Sequence, residues 1–230
     1  MAKVSRSLRK DIETLGKVSS TIVSEMYLED ILKIIVAVTA EVMGSKICSL
    51  MLLNEKGDEL RLSATQSLSK DYINKPNVKV GQSISGRAVS QKKPITVLNI
   101  RKDPHYMFPE TAKKEGLYSM LSVPLMVKGK VIGVLNCYTS RRHKFTPREI
   151  KLVSAVGNQA AIAILNRKLA EEKDALSVKL EERKVIERAK GILMKKEGFS
   201  EDEAYKKLRK QSMDKRMSMK EIAEAVILAQ

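Results

Sequence analysis

Cysteine and histidine are nearly missing from this 230-residue chain, which has two of each. Cys48 and Cys137 both sit within strand-like apolar runs, so a disulfide framework and a four-cysteine zinc site are excluded, and reduced core thiols are expected. Neither His105 nor His143 belongs to a metal-ligand pair. The stretch "GQSISG", residues 81–86, lacks the Gly-Lys-Ser/Thr ending of a phosphate loop. With these groups lacking, the chain reads as a non-enzyme with no metal site and no identifiable cofactor. No apolar run approaches the roughly 20 residues of a membrane-spanning helix, and "MAKVSRSLRKDIETLG" carries charge where a signal peptide would be apolar. A cytoplasmic protein without membrane association is expected. Acid is the scarce charge: 27 Asp and Glu stand against 43 Lys and Arg, giving +16 and a pI near 9.8. That excess implies attraction to a polyanion, and the membrane version of it would need an apolar anchor.

What is present suffices for a folded chain of two units. Hydrophobic residues make up 43% and charged residues 30%, which argues against disorder. Val4, Leu8, Ile12 and Leu15, then Leu28, Ile31, Leu32, Ile35 and Val38, fall at helical spacing, so two helices open the chain. "KICSLMLLN" and "LRLSATQS" flank a glycine-centred turn and read as an antiparallel hairpin. A second hairpin spans "MLSVPLMVKGKVIGVLNCYTS", with Lys128, Gly129 and Lys130 as its turn and Pro124 at a bulge or edge. Between them, "VGQSISGRAVSQKKPITVLNI" reads as glycine loop, short helix and strand, and "RKDPHYMFPETAKKEG" as a polar loop. Helices followed by an antiparallel sheet define an α+β sandwich.

Beyond Thr146 the architecture becomes helical. Thr146 with Glu149, Ser200 with Glu203 and Ser218 with Glu221 each fit a capping box. No proline follows Pro147, so the first of these helices runs for about 50 residues, ~75 Å at the usual rise. Val153, Val156, Ala160, Ile162 and Leu165 can pack on the sheet. Leu165, Leu169, Leu176 and Leu180 continue a broken heptad, read as a short dimeric coiled coil. Two short helices, roughly 201–211 and 219–229, follow. Ala204, Tyr205, Leu208, Ile222, Ala223, Val226 and Ile227 supply their apolar faces, which close a small core with Ala189, Ile192, Leu193 and Met194. The segment 206–220 carries Lys206, Lys207, Arg209, Lys210, Lys215, Arg216 and Lys220 against Asp214 alone, a bias that favours nucleic-acid binding over a merely solvated face.

The residues "ERKVIERAKGILMKKEGFSEDEAYKKLRKQSMDKRMSMKEIAEAVI", 182–227, resemble an ANTAR domain, the RNA-binding output module of bacterial transcription antiterminators. The similarity rests on Ala189, Lys190, Gly191, Leu193 and Met194, on Glu203, Ala204 and Tyr205, and on Leu208, Arg209, Ser212, Met213, Ile222 and Ala223. The preceding part resembles a GAF domain, through "GQSISGRAVSQKKPITVLNI" and the stretch from Ser119 to Ile164. With the helical spacing and heptad above, the resemblance divides the chain into an N-terminal helix over 1–17, a GAF sensory domain over 18–167, a coiled-coil linker helix over 168–181 and a C-terminal three-helix ANTAR bundle over 182–230. It further implies a homodimer that holds paired stem-loops of a leader transcript so that a competing terminator cannot form. Carried over by position, Lys190, Gly191, Lys195, Arg209, Ser212, Met213, Lys215 and Arg216 are the candidate RNA face. Gly191 allows close backbone approach, Arg209 offers a planar fork and Met213 packs on a base, with intrachain packing the rival role for Gly191 and Met213. Met217 departs from the family, which often has a basic residue there. The GAF resemblance implies a small-molecule effector that no residue identifies. His105 is a conceivable haem ligand, though it reads as a surface residue. The alternatives are a DNA-binding regulator using the last helices as a helix-turn-helix, and a ligand-binding or redox GAF protein with a basic tail. The length of "KQSMDKRMSMK" argues against the first, and the inward reading of the cysteines against the redox version of the second.

Overall fold

The computed structural model describes Gly16 and residues 27–229. The expected first helix, over 1–17, therefore lies outside the described residues apart from Gly16. The chain divides into two compact units, Met1–Lys168 and Leu169–Gln230.

The first unit is built on one antiparallel sheet. Helix α1 (Leu28–Met43) leads into β1 (Ile47–Leu53) and β2 (Glu59–Thr65). Short helix α2 (Lys70–Ile73), β3 (Val78–Lys79), α3 (Ser83–Gln91), β4 (Ile95–Val97) and α4 (Pro109–Lys114) follow, then β5 (Ser119–Val127) and β6 (Lys130–Thr139). The six strands lie in the order β3-β2-β1-β6-β5-β4. Lys128 and Gly129, both at positive φ, form the two-residue turn between β5 and β6, matching the strand twist. Lys130, expected in that turn, already belongs to β6. Pro124 sits past the last residue of β5 that β4 pairs, and the register shifts between Leu125 and Met126. An imino nitrogen that cannot donate is tolerated there.

Both faces of the sheet are covered, which explains why β1 reads as a continuous apolar run. Its residues alternate between two cores. Cys48, Leu50 and Leu52 join α1 and the start of α5 (Pro147–Glu197) in one cluster, while Ile47 faces Tyr72, Ile84 and Tyr106 in the other. From α5, Val153, Val156, Ala160 and Ile164 are buried. Ile162, expected with them, is 40% exposed because it lies two residues past Ala160, over half a helical turn from that stripe. Cys48 and Cys137 oppose each other across β1 and β6, fully buried and without a disulfide. The hydrogen bond to Cys48, reinforced by burial, holds the Cys137 thiol well above the usual range.

The polar segment 101–116 is more than a loop. It contains α4, buries Tyr106 and Ala112 and half-buries Phe108. Gly86 in α3 is fixed by close approach, since a Cβ there would stand 2.3 Å from the Lys79 carbonyl oxygen.

In the second unit, the later part of α5 packs with α6 (Glu201–Lys215) and α7 (Met219–Leu228). Ala189, Leu193, Ala204, Leu208, Ile222 and Ala223 form the core, each leucine or isoleucine contributing about 1.5–3 kcal/mol by burial. Ser200 with Glu203 and Ser218 with Glu221 make complete capping boxes that start α6 and α7. Thr146 and Glu149 exchange the same bonds before α5.

Candidate nucleic-acid interface

The core of the helical unit decides which cations face outward. Leu208 and Ala204 lie on one side of α6. Tyr205, Arg209, Ser212 and Met213, at steps of four, three and one, line the adjoining flank, and Arg216 follows as the C-cap. Of these five, Tyr205, Arg209, Met213 and Arg216 are exposed and Ser212 is half-buried. Tyr205 thus corrects the expectation that it fills the core. It is 43% exposed because only Ala204 and Leu208, four residues apart, share the buried face. Met194, also expected in the core, is 39% exposed, and its neighbour Leu193 takes the inward position.

Lys190 is placed differently from the other candidates. Its side chain is 8% exposed, and its Nζ donates to Glu187 Oε1 and Oε2, both at 3.0 Å, and to Glu201 Oε1 at 2.7 Å. The bond to Glu201 leads in raising the Lys190 pKa, and that carboxyl is lowered in return. This cluster ties α5 to the first turn of α6, where a carboxylate also favours the helix dipole. Lys207 pairs with Glu197 and lies 5.0 Å from the centre of the Phe199 ring, while Lys220 stands 4.0 Å from Glu224. The acids that offset the cationic segment therefore come from outside it. Lys206, Arg209, Lys210, Lys215 and Arg216 remain exposed with no ion pair among the described residues.

Gly191 and Lys195, four residues apart on α5, point away from the face that carries Ala189 and Leu193. A Cβ added at Gly191 would meet nothing within 4 Å, so packing inside the chain does not require a glycine. Met213, 63% exposed, is equally free of a packing role. Ser212 Oγ donates to the Met217 carbonyl oxygen at 2.5 Å, and Arg216 caps α6 at φ 53°. These two residues shape the turn as well as facing outward. That turn is only 216–218, because α6 continues through Lys215. Its three residues match a helix-turn-helix turn, so the length argument against DNA binding fails.

A second feature lies in the sheet unit. Tyr72, Lys75, Ser83, Ser85, Tyr106, Phe108 and Tyr138 line a cavity of about 30 Å³ on the face away from α1. Lys75 Nζ stands 3.5 Å from the centre of the Tyr72 ring and 5.3 Å from that of Phe108. Burial pushes the Lys75 pKa down to about 8 and that of Tyr106 up to about 12. Neither histidine lines this cavity, and His105 is exposed. Sequence reasoning missed the cavity, since its residues come from four strands, two helices and two loops. Among the described residues no group of three or more metal-ligating side chains gathers, and no helix is long and apolar enough to cross a membrane.

A covered antiparallel sheet with a small internal cavity is followed in sequence by a cationic three-helix unit, which makes a two-domain chain. The chain belongs to the GAF domain family, whose model matches residues 25–165, and the ANTAR domain model matches residues 174–227. It is 31% identical over 165 residues to the methyl sulfide methyltransferase-associated sensor of Methanosarcina acetivorans, covering 68% of this chain and 16% of that protein. Over 63 residues it is 49% identical to the nitrate regulatory protein of Klebsiella oxytoca, covering 27% of this chain and 15% of that one. The chain thus spans under a fifth of either relative's length. The GAF domain from a Coxiella burnetii phosphoenolpyruvate-protein phosphotransferase shares the fold, with a TM-score of 0.64 and 21% identity over 71% of this chain and 98% of that structure.

Proposed function

We propose that the chain is a cytoplasmic, non-enzymatic transcription antiterminator that binds RNA stem-loops as a homodimer under control of its GAF domain. Residues 18–167 act as the sensor, 168–181 as a coiled-coil linker and 182–230 as the RNA reader. The observation that carries this reading is the outward stripe of α6, where Tyr205, Arg209, Met213 and Arg216 stand exposed beside Lys206 and Lys210. Phosphate contacts supply affinity, whereas unpaired loop bases are read by stacking and by hydrogen bonds to their edges. An aromatic ring, a guanidinium and a thioether on one helix face provide both kinds of contact. Gly191 lets the backbone of α5 come close to RNA, and Lys195 neutralises phosphate. Lys190 contributes by orienting α6 through Glu201. Dimerisation is supported by Leu169 and Leu176, seven residues apart on α5 and 54% and 66% exposed. Two protomers holding two hairpins of one transcript gain from effective concentration.

Competition on the full chain tests the reading, using a pool of stem-loop RNAs with randomised loops against duplex DNA at matched salt. Selective retention of particular loops, with a steep salt dependence, is the expected result. Preference for duplex DNA would replace it with the helix-turn-helix alternative.

A further inference from the structure

The cavity beneath α3 is short of one negatively charged acceptor. Its lining residues include no aspartate or glutamate. Tyr106 is 6% exposed and lines the cavity beside Tyr138, and its hydroxyl makes no hydrogen bond among the described residues. A buried phenol without an acceptor costs about 1–3 kcal/mol unless something fills the role. Helix α3, nine residues long, begins at the same cavity with Ser83 and Ser85. Its N-cap Gln82 makes no side-chain capping bond and its first turn has no acid. The positive end of the helix dipole is thus left uncompensated, the usual setting for an anion. Ser83 is held at φ 54°, a strained conformation for a residue with a side chain and of the kind that gathers at ligand sites. Lys75 adds an ammonium that makes no ion pair among the described residues and rests against two aromatic rings.

We propose that this cavity binds a small trigonal oxyanion, a short carboxylate or its isostere nitrate, held by the Tyr106 hydroxyl, the N-terminus of α3 and Lys75. The inference rests on the sensor role assigned to the GAF domain and names the chemical class of its effector. Size sets the class as firmly as charge. A volume of about 30 Å³ restricts the ligand to a few heavy atoms. Nucleotides and tetrapyrroles are far too large for it. The aromatic rings do not hold a ligand cation, because the Lys75 ammonium already occupies them. Leu62, Val78 and Met51 leave an apolar side against which a methyl group or a planar π face fits.

Isothermal titration of the full chain, without RNA, tests this with sodium formate, acetate and nitrate, and with acetamide and sodium chloride as controls. Saturable binding of at least one trigonal oxyanion, absent for acetamide and chloride, is expected. Tyr106→Phe and Lys75→Met should each weaken that binding tenfold or more while circular dichroism stays that of the parent. Ser83→Gly, which relieves the backbone strain and removes the hydroxyl, gives a third variant whose fold is least at risk. The proposal is overturned if no oxyanion saturates, if acetamide binds as well, or if affinity is unchanged in Tyr106→Phe and Lys75→Met. Since no RNA is present, such a failure leaves the assignment of the helical unit untouched, and failure of RNA binding leaves this titration interpretable.

Discussion

Replacing Gly191 by alanine should move stability and RNA affinity in opposite directions. Gly191 lies inside α5, and its added methyl would meet nothing within 4 Å. The native chain therefore bears the full helix-propensity penalty of glycine against alanine, about 0.8–1.0 kcal/mol, with no packing gain in return. Relieving it should slow amide exchange in α6 and α7 by roughly 4- to 5-fold, read by hydrogen-exchange mass spectrometry on the full chain. Binding responds oppositely if RNA approaches the bare backbone. A methyl group at the contact would separate the surfaces and weaken neighbouring charge-assisted bonds such as that of Lys195. Losing one such bond costs about 1.5–3 kcal/mol, or about 10- to 100-fold in affinity. A more stable variant that binds selected stem-loops as well as the parent would refute close backbone approach. Faster exchange would refute the claim that the site is open within the chain.

The remaining expectations follow from the same surfaces. Arg209→Ala should weaken a selected stem-loop about tenfold or more by gel shift, against about threefold or less for Lys206→Ala, because the guanidinium forms paired directed bonds; equal losses would mean a diffuse cationic patch. Leu169→Lys with Leu176→Lys should give a monomer by sedimentation and lose roughly 100-fold affinity for a two-hairpin RNA while one-hairpin binding holds; tight tandem binding by a monomer would exclude the bivalent reading. Lys75→Met should raise the urea midpoint below pH 8. The folded-state pKa of Lys75, about 8, lies under its ordinary value of 10.5, so the cost of burying the ammonium is fully present below pH 8 and fades toward 10.5. Glu115 opposes that shift, and the rings of Tyr72 and Phe108 face the ammonium. A gain that persists undiminished at high pH would assign it to packing.

Local signals carried most of what was legible in the sequence. Each capping box lies within four residues, and all three form as expected at Thr146, Ser200 and Ser218. The two hairpins were legible because their strands adjoin in sequence. Long-range contacts hid the rest. Lys190 and Lys207 look like free cations until folding brings Glu201 and Glu197, ten or more residues away, against them. Tyr205 reads as apolar core because a propensity argument cannot tell which of two adjacent residues, Ala204 or Tyr205, turns inward. The cavity was invisible for a similar reason. Tyr106 sits in a stretch of polar and proline residues, and only packing beneath α3 leaves its hydroxyl buried and without a hydrogen bond among the described residues.

Ultraviolet cross-linking of the full chain to a selected stem-loop, with the attached peptides identified by mass spectrometry, tests the central claim most directly. The account predicts cross-links concentrated at Tyr205, Arg209 and Met213, with a second set around Gly191 and Lys195. They should disappear when excess unlabelled stem-loop, but not duplex DNA, is added. Cross-links confined to the basic stretch 141–148 of the sheet unit, with the outward face of α6 unmodified, would contradict it.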